Sequence, residues 1–462
     1  MLSRDTNGMK EQIVHEKAER IRDVLRYVRK FKNTTVIIYI DDEIIDSRLF
    51  TSHIRDICLI HETGLHVILV PGARKRINEV LSSAGIQWSY HDNFRITNED
   101  AMPLIKMAAF DVSNKVMTAL AAEKKTAVIG NWVRSRAKGI IDGFDYGTIG
   151  EIDKLQIDSV KTVLSNGFIP IFPCIGWSSA GKPYNISSIQ LAHQIAVHLQ
   201  ADKLFFLIPG LEINSSEGTI PAMNLEEVDE FLAKNATENS VVTANSTECS
   251  VENAENSNVS RETHTICSLL ELAKSACEAG VSRVHLLNGS LNGTLPCEIF
   301  SNLGSGTMIY KSNYGGIREM TREDIPAVLN LMHPFVQKGN LLPRTAQQMQ
   351  TDFQHYIVYV MDDAVRACAA LIPYDGGQME IAGVAVDESC SHIGIGPKLI
   401  SYLLDKAHAQ GARRVFILTT QAADWFENMG FVPTEISSLP QKRKDLWTPQ
   451  RNSKVFHKLF TL

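Results

Sequence analysis

Short apolar runs alternate with helical stretches over the first ~310 residues of this chain, and no other feature restricts its fold as tightly. The apolar runs are residues 34–40 (TTVIIYI), 67–70, 127–130, 170–172, 203–207 and 284–287. Each suits a strand and is too short for a stable helix. Between them lie stretches with apolar residues near helical spacing: 11–31 (Ile13, Ala18, Ile21, Val24, Leu25, Val28), 48–61 (Leu49, Ile54, Ile57, Ile60), 75–84, 187–200 and 267–279. A strand that returns through a crossover helix lies parallel to its predecessor, and the helices then cover both faces. The expected class is α/β, beginning with a three-layer parallel-sheet domain.

At 462 residues the chain is too long for one ordinary domain. A second domain is marked by residues 379–400, MEIAGVAVDESCSHIGIGPKLI. An apolar strand, Ile381 to Val386, leads through a polar loop to Gly394-Ile395-Gly396, which opens a helix at Pro397. Two glycines one residue apart at a helix start let the backbone approach an anion. The free N–H groups and the positive end of the helix dipole bind phosphate there. By itself the pattern serves a plain tight turn equally well.

Composition narrows the partners. A net charge of −6 gives no basic face, so nucleic acid is not expected. No apolar run approaches the ~20 residues of a membrane helix. The first twenty residues are charged and lack an apolar core, unlike a secretory signal, and carry acidic residues, unlike an organellar transit peptide. A cytoplasmic location is expected, with a plastid as the alternative for a plant source. The eight cysteines show no CxxC spacing and read as small core residues, with neither a disulfide framework nor a zinc site. Residues 240–265, rich in Asn, Ser, Thr and Glu, read as a disordered surface insertion. Asn313-Tyr314-Gly315-Gly316 reads as the hinge between domains 1–312 and 317–462.

The glycine loop resembles the acetyl-CoA loop of the GNAT-family N-acetyltransferases, Arg/Gln-x-x-Gly-x-Gly/Ala. Here it reads Ser391-His392-Ile393-Gly394-Ile395-Gly396, with both glycines kept and the first charge replaced by Ser391. The strand Arg414–Thr420 and the run Trp425-Phe426-Glu427-Asn428-Met429-Gly430-Phe431 follow in that family's order. The resemblance covers residues 317–462 and implies acetyl-CoA as co-substrate and no metal. It implies that Val384, Ala385 and Val386 pair with the pantetheine arm, and that Gly394, Ile395 and Gly396 hold the pyrophosphate.

The first domain resembles the amino-acid kinase fold of acetylglutamate kinase. The resemblance rests on Val70-Pro71-Gly72-Ala73-Arg74, residues 138–147 (KGIIDGFDYG), Ala201-Asp202-Lys203-Leu204, Val284-His285-Leu286-Leu287-Asn288-Gly289, Glu298-Ile299-Phe300 and Gly304-Ser305-Gly306-Thr307. Where the kinases carry a lysine and a Gly-rich turn, this chain reads Tyr39-Ile40-Asp41-Asp42-Glu43. Carboxylates there repel a nucleotide triphosphate, and phosphoryl transfer depends on electrostatic positioning, so the domain reads as dead as a kinase. Joined to the acetyltransferase domain, it resembles the N-acetylglutamate synthase family. The closing Leu439-Pro440-x-x-x-Lys444, the run Arg451-Asn452-Ser453-Lys454 and Leu342-Pro343-Arg344 agree with this.

That resemblance implies acetyl transfer to the α-amine of L-glutamate, as the first step of arginine biosynthesis, with L-arginine as a feedback effector and a homo-oligomer, dimer or hexamer. Three chemical tasks follow: a base for the ammonium, cations for two carboxylates, and donors for the thioester oxyanion. Glu380 is the candidate base, its alternative being a solvated carboxylate at a strand end. Arg344 and Arg451 are candidate carboxylate clamps, supported by Ser453, with surface ion pairs as the alternative. Thr419 matches the position of an acid for the leaving thiolate, though Thr in a strand is ordinarily structural. The effector positions are His285, Glu298 and Gly304, with the N-terminal helix nearby; a buried helix-cap role is the alternative for the first two. Two other functions stay open on the sequence: a working acetylglutamate kinase with an accessory acetyltransferase domain, and a non-catalytic arginine sensor.

Overall fold

The computed structural model describes residues 17–18, 21–22, 24–25, 27–91, 94–215, 218–244, 254–300, 304–311, 315–361, 364–390, 394–449 and 451–460. The chain divides into two compact units, Met1–Lys311 and Ser312–Leu462.

In the first unit, β1 (Thr35–Ile40), β2 (His66–Pro71), β3 (Ala127–Ile129), β4 (Ile169–Ile171), β5 (Lys203–Ile208), β6 (Ala222–Asn224), β7 (Arg283–Asn288) and β8 (Thr307–Tyr310) form one sheet in the order β6-β8-β7-β5-β1-β2-β4-β3. The helices that matter here are α1 (Phe50–Glu62), α2 (Arg74–Ser83), α3 (Met102–Ala122), α4 (Ser188–Leu199), α5 (Leu225–Ala244), α6 (Ala254–Glu278) and α7 (Thr294–Phe300). Strand β1 lies between β5 and β2, with Ile38 opposite Phe205 and Leu69. Its side chains alternate between two cores. Val36, Ile38 and Ile40 pack with α1 and α3, whereas Ile37 and Tyr39 pack with α4 and α6. A strand covered on both faces reads as an unbroken apolar run, which is why TTVIIYI was legible.

Three features differ from the sequence expectation. Strand β8 pairs antiparallel with β7, at one end of an otherwise parallel sheet. A second, four-stranded sheet of Val133–Ala137, Gly150–Leu155, Ile175–Trp177 and Pro183–Asn185 packs nearby. Sequences such as VRSRA and GEIDKL have no apolar run to announce it. Within 240–265, read as disordered, α5 continues to Ala244 and α6 begins at Ala254, while residues 245–253 lie outside the described residues. The described positions between 17 and 30 are helical; the start of that helix at residue 11 also lies outside them.

In the second unit, β9 (Gly315–Glu319), β10 (Tyr356–Met361), β11 (Ala364–Tyr374), β12 (Gln378–Val386), β13 (Arg414–Thr419), β14 (Val432–Thr434) and β15 (Lys454–Leu459) run in the order β9-β10-β11-β12-β13-β15-β14. They are flanked by α8 (Ile325–Gln337), α9 (Ala346–Asp352), α10 (Ile395–Ala409) and α11 (Ala423–Asn428). Gly315 and Gly316, read as part of a hinge, begin β9 and pair with Met361 and Val360. All neighbours are antiparallel except β12 and β13, which run parallel.

Candidate active site

The parallel pairing of β12 and β13 is short: Gln378, Met379 and Glu380 face Arg414, Val415 and Phe416, and there it stops. Strand β12 continues against β11 as far as Val386, and β13 continues against β15 as far as Thr419. The two strands therefore part beyond Glu380. The β12 edge from Ile381 to Val386 is left without ladder partners on the β13 side, a row of backbone groups open to an extended ligand. Val384, Ala385 and Val386 lie on this stretch.

Strand β12 also carries a bulge. Ala370 faces Ala382 and Cys368 faces Ala385, so Gly383 and Val384 together oppose Ala369. Gly383 takes φ +62°, and a Cβ on it would sit 3.3 Å from the Tyr356 hydroxyl and 3.6 Å from Arg344 Nη2. Such a bulge re-aims the strand beside a site. At the far end, Asp387 holds the turn by an ion pair with buried Arg366 at 3.0 Å. Residues 391–393, including Ser391, lie outside the described residues. Gly394 then caps α10 at φ +70°, a conformation that costs other residues ~1–2 kcal/mol. Gly396 is buried, and a Cβ there would press on Trp425 at 3.1 Å. The Ile395 side chain is packed in the core, so any part it takes in anion binding is through its backbone N–H. A glycine-started helix following an unpaired strand edge fits the pyrophosphate and amide-rich arm of acetyl-CoA.

Glu380 sits at the last pair before the strands part, and it is 4% exposed, which rules out the solvated alternative. Arg443 Nε donates to Oε1 and Oε2, each at 2.9 Å, and the Tyr374 hydroxyl donates to Oε2 at 3.0 Å. A carboxylate offers about four acceptor positions, so room remains for about one further donor. The Tyr374 hydroxyl titrates well above its usual range, first through burial and then through the charge of Glu380. Sequence reasoning missed Arg443 and Tyr374. Arg443 lies in the QKRK turn as one polar residue among four, and Tyr374 becomes a neighbour of Glu380 only through the β11–β12 hairpin.

The two candidate clamps, Arg344 and Arg451, lie in the same region. The Arg344 guanidinium lies 5.2 Å over the Tyr356 ring. The Tyr356 hydroxyl is buried without a hydrogen-bond partner among the described residues, and burial raises its pKa. Arg451 Nη2 donates to the Asn340 carbonyl at 2.8 Å, which ties the C-terminal segment to the loop that carries Arg344. Burial lowers the Arg451 pKa, with the charge of Arg443 adding to it. Neither Arg344 nor Arg451 forms an ion pair among the described residues, so the surface-pair alternative fails for both. Ser453 is buried, and its carbonyl accepts from Trp447 Nε1 at 3.3 Å. Thr419, at the end of β13, accepts from the Ala422 N–H at 3.0 Å through Oγ1, which closes the turn leading into α11; its hydroxyl proton is still available.

In the first unit, His285 on β7 and Glu298 on α7 form a buried pair, Nδ1 to Oε1 at 2.6 Å. Glu298 Oε2 accepts from the N–H groups of Ser305 at 2.5 Å and Gly306 at 3.1 Å. A Cβ on Gly304 would lie 2.2 Å from that oxygen, so this position must be glycine for the carboxylate to fit. His285 stacks on Phe205 at 4.5 Å, and burial holds its pKa down at about 4. Lys203, whose charge adds to that depression, lies 4.3 Å over the Phe31 ring at the end of the N-terminal helix. His285, Glu298, Gly304 and that helix are thus brought together.

The acidic turn after β1 works as a pair of caps. Asp41 accepts from the Glu43 N–H and from the Tyr39 hydroxyl, both at 3.0 Å, and burial raises its pKa to about 6. Asp42 accepts from the Lys75 N–H at the start of α2. The chain's own carboxylates thus occupy helix N-termini, the backbone positions that favour phosphate.

Comparison with known proteins agrees with this two-part organisation. Residues 34–288 match the amino acid kinase family, and residues 325–431 match the GNAT acetyltransferase family. The chain is 30% identical to the amino-acid acetyltransferase of Mannheimia succiniciproducens over 437 residues, 93% of this chain and 94% of that protein. It is also 30% identical to the amino-acid acetyltransferase of Salmonella typhimurium over 450 residues, 95% of this chain and 97% of that protein. Among solved structures it resembles N-acetylglutamate synthase from Neisseria gonorrhoeae complexed with coenzyme A and L-arginine. The TM-score is 0.75 at 27% identity, covering 96% of this chain and 99% of the other. The same enzyme complexed with coenzyme A and N-acetyl-glutamate gives a TM-score of 0.58.

Proposed function

Since this chain belongs to the family of amino-acid acetyltransferases, we propose that it transfers the acetyl group of acetyl-CoA to the α-amine of L-glutamate, giving N-acetyl-L-glutamate and CoA. The observation that carries this reading is the position of Glu380, at the point where β12 and β13 part, with cations close by. Arg344 and Arg451 hold the substrate carboxylates, backed by buried Ser453, because a planar guanidinium matches a carboxylate bidentately. Glu380 takes a proton from the substrate ammonium, directly or through one water, at the acceptor position that Arg443 and Tyr374 leave open. The freed amine attacks the thioester carbonyl; the C–N bond forms, the C–S bond breaks, and CoA leaves as a thiolate. The nitrogen sheds its second proton as the amide forms, and the Thr419 hydroxyl is the group placed to relay that proton to the thiolate. Gly394, Ile395 and Gly396 hold the pyrophosphate through backbone N–H groups, and the free edge at Val384–Val386 takes the pantetheine arm.

We assign the His285–Glu298–Gly304 cluster to L-arginine as feedback effector. The support is the buried carboxylate with its neutral histidine, and the bound L-arginine of the Neisseria gonorrhoeae structure. A kinase reading is disfavoured by Asp41 and Asp42, which already cap the helix starts. We further propose a cytoplasmic homo-oligomer, dimer or hexamer. Ile21, Val24 and Leu25 on the N-terminal helix are 60%, 42% and 56% exposed, an apolar face suited to another copy, and light scattering of the purified chain measures it.

The test is CoA-thiol release from acetyl-CoA with and without L-glutamate, repeated with Glu380→Gln. Release that depends on glutamate and falls at least ~100-fold in the variant is the expected result for a general base. Release that survives the substitution removes Glu380 from that role. No release with any amino acid turns the reading to an arginine sensor.

A further inference from the structure

The Tyr356 hydroxyl has no part in the mechanism above, yet it lies in the same site. Tyr356 on β10 faces Ala370 on β11, which faces Ala382 on β12, and two residues further along Ile372 faces Glu380. Side chains alternate along a strand, so Tyr356 and Glu380 project from one face of the sheet. That face packs against Val328 and Met332 of α8 and Met349 of α9, and the loop between these helices carries Arg344. With only alanines at 370 and 382, the Tyr356 ring has room to reach across two strands to the bulge on β12.

There the hydroxyl ends without an acceptor. It is buried, and no hydrogen bond reaches it among the described residues. The position a Cβ would take on Gly383 lies 3.3 Å from this hydroxyl and 3.6 Å from Arg344 Nη2. Two donors therefore meet beside the only residue of β12 that has no side chain. The Arg344 guanidinium also forms no hydrogen bond among the described residues. The Gly383 carbonyl does not serve either group; it accepts from Cys368 Sγ at 3.6 Å. Burial raises the Tyr356 pKa against the opposing charge of Arg344, so the hydroxyl keeps its proton at neutral pH and is available as a donor. A buried donor without an acceptor is destabilising, and its retention calls for a function.

We propose that the Tyr356 hydroxyl is a further substrate-binding group, which donates to the carboxylate of the amino-acid substrate that Arg344 holds. The two oxygens of one carboxylate can accept from both donors at this spacing. The guanidinium supplies charge, and the hydroxyl, fixed by a packed ring, supplies direction. The acceptor belongs to the amino acid and not to the thioester because the hydroxyl shares its position with Arg344. The identity of the substrate rests on the functional reading above.

The test is the steady-state rate of CoA-thiol release with Tyr356→Phe, which removes one oxygen and keeps the ring under Arg344. The KM for L-glutamate is expected to rise about tenfold or more, as for a lost hydrogen bond to a charged group, while kcat and the KM for acetyl-CoA stay within about twofold. The thermal midpoint should hold or rise, since the variant loses a buried donor that has no acceptor; a purely structural tyrosine would lower it. Placed in Arg344→Gln, the same substitution should raise the KM by markedly less, because the two groups share one carboxylate. An unchanged KM for L-glutamate in Tyr356→Phe overturns the proposal. So does a fall in kcat at constant KM, which would place the hydroxyl on the thioester. A rise in both KM values with a lower midpoint overturns it too, as the mark of a packing role. Wild-type protein that releases no CoA with L-glutamate removes the functional reading itself, and this proposal falls with it.

Discussion

Arg443 Nε stands 2.9 Å from both carboxylate oxygens of Glu380, at the last residue pair before β12 and β13 separate. With Tyr374 as a third contact, Glu380 is fixed in orientation at the place proposed for the substrate amine. On the proposed mechanism Arg443 is a positioning residue, acting through Glu380. Its side chain is 13% exposed and that of Glu380 5%, so the pair is desolvated.

Breaking one side of a desolvated pair leaves a buried charge, which costs ~3–5 kcal/mol. Arg443→Met is therefore expected to lower the unfolding free energy of the second unit by that order, read from its urea midpoint. Adding Glu380→Gln to Arg443→Met should recover most of the loss, because no charge then remains unpaired. Urea unfolding of the two single variants and the double variant measures the coupling. Additive losses would show that the two side chains do not stabilise one another.

The clamps should separate kinetically from the base. On the proposed mechanism Arg344→Gln and Arg451→Gln each remove a charged hydrogen bond to a substrate carboxylate, worth ~1.5–3 kcal/mol. The KM for the amino acid should rise about tenfold or more, while the KM for acetyl-CoA stays within about twofold. Initial rates with each substrate varied in turn decide it. A rise in both constants would point to a general collapse of the segment that Arg451 ties to Asn340.

The bulge gives a prediction that no contact list of charged groups would. Gly383 has φ +62°, and a Cβ there would meet the Tyr356 hydroxyl at 3.3 Å. Gly383→Ala is expected to cost ~1–2 kcal/mol of stability through backbone strain, with at least a severalfold fall in kcat as the edge beyond Glu380 shifts. Thermal unfolding and turnover with Gly383→Ala check both effects. Unchanged turnover would mean that the bulge does not position the reacting groups.

Legibility followed the physics of each feature. The strands of the first unit were readable because burial on both faces makes them uniformly apolar, whereas VRSRA and GEIDKL, in the smaller sheet, are mixed and went unread. Gly394 and Gly396 were readable because a helix start marks them locally, although their reasons differ: backbone conformation for one, contact with Trp425 for the other. Glu380 was picked out by its place on the strand before the glycine loop and Arg451 by its RNSK context; the structure buries the first and ties the second to the Asn340 carbonyl. Arg443, Tyr374 and the Gly383 bulge were not found. Each acquires meaning only from pairing across strands or from a fold-back of 63 residues between Arg443 and Glu380, and local pattern does not carry such information.

The His285–Glu298 pair makes stability depend on pH in a defined direction. His285 titrates at about 4 in the fold, against 6.5 for the ordinary side chain, because burial disfavours its charged form. The unfolded chain therefore binds the proton more readily between those values, and protonation favours unfolding there. Glu298 acts in the same direction at lower pH, since His285 and the Ser305 and Gly306 N–H groups hold its pKa down against burial. Stability of the first unit should be full above about pH 6.5 and should fall on acidification toward pH 4, by up to ~1.4 kcal/mol per pH unit from this histidine. His285→Gln, which cannot titrate, should flatten that slope and leave only the fall below about pH 4.5 that belongs to Glu298. Urea midpoints from pH 4 to pH 8 for both proteins measure it; an unchanged slope in His285→Gln would assign the acid sensitivity to other groups.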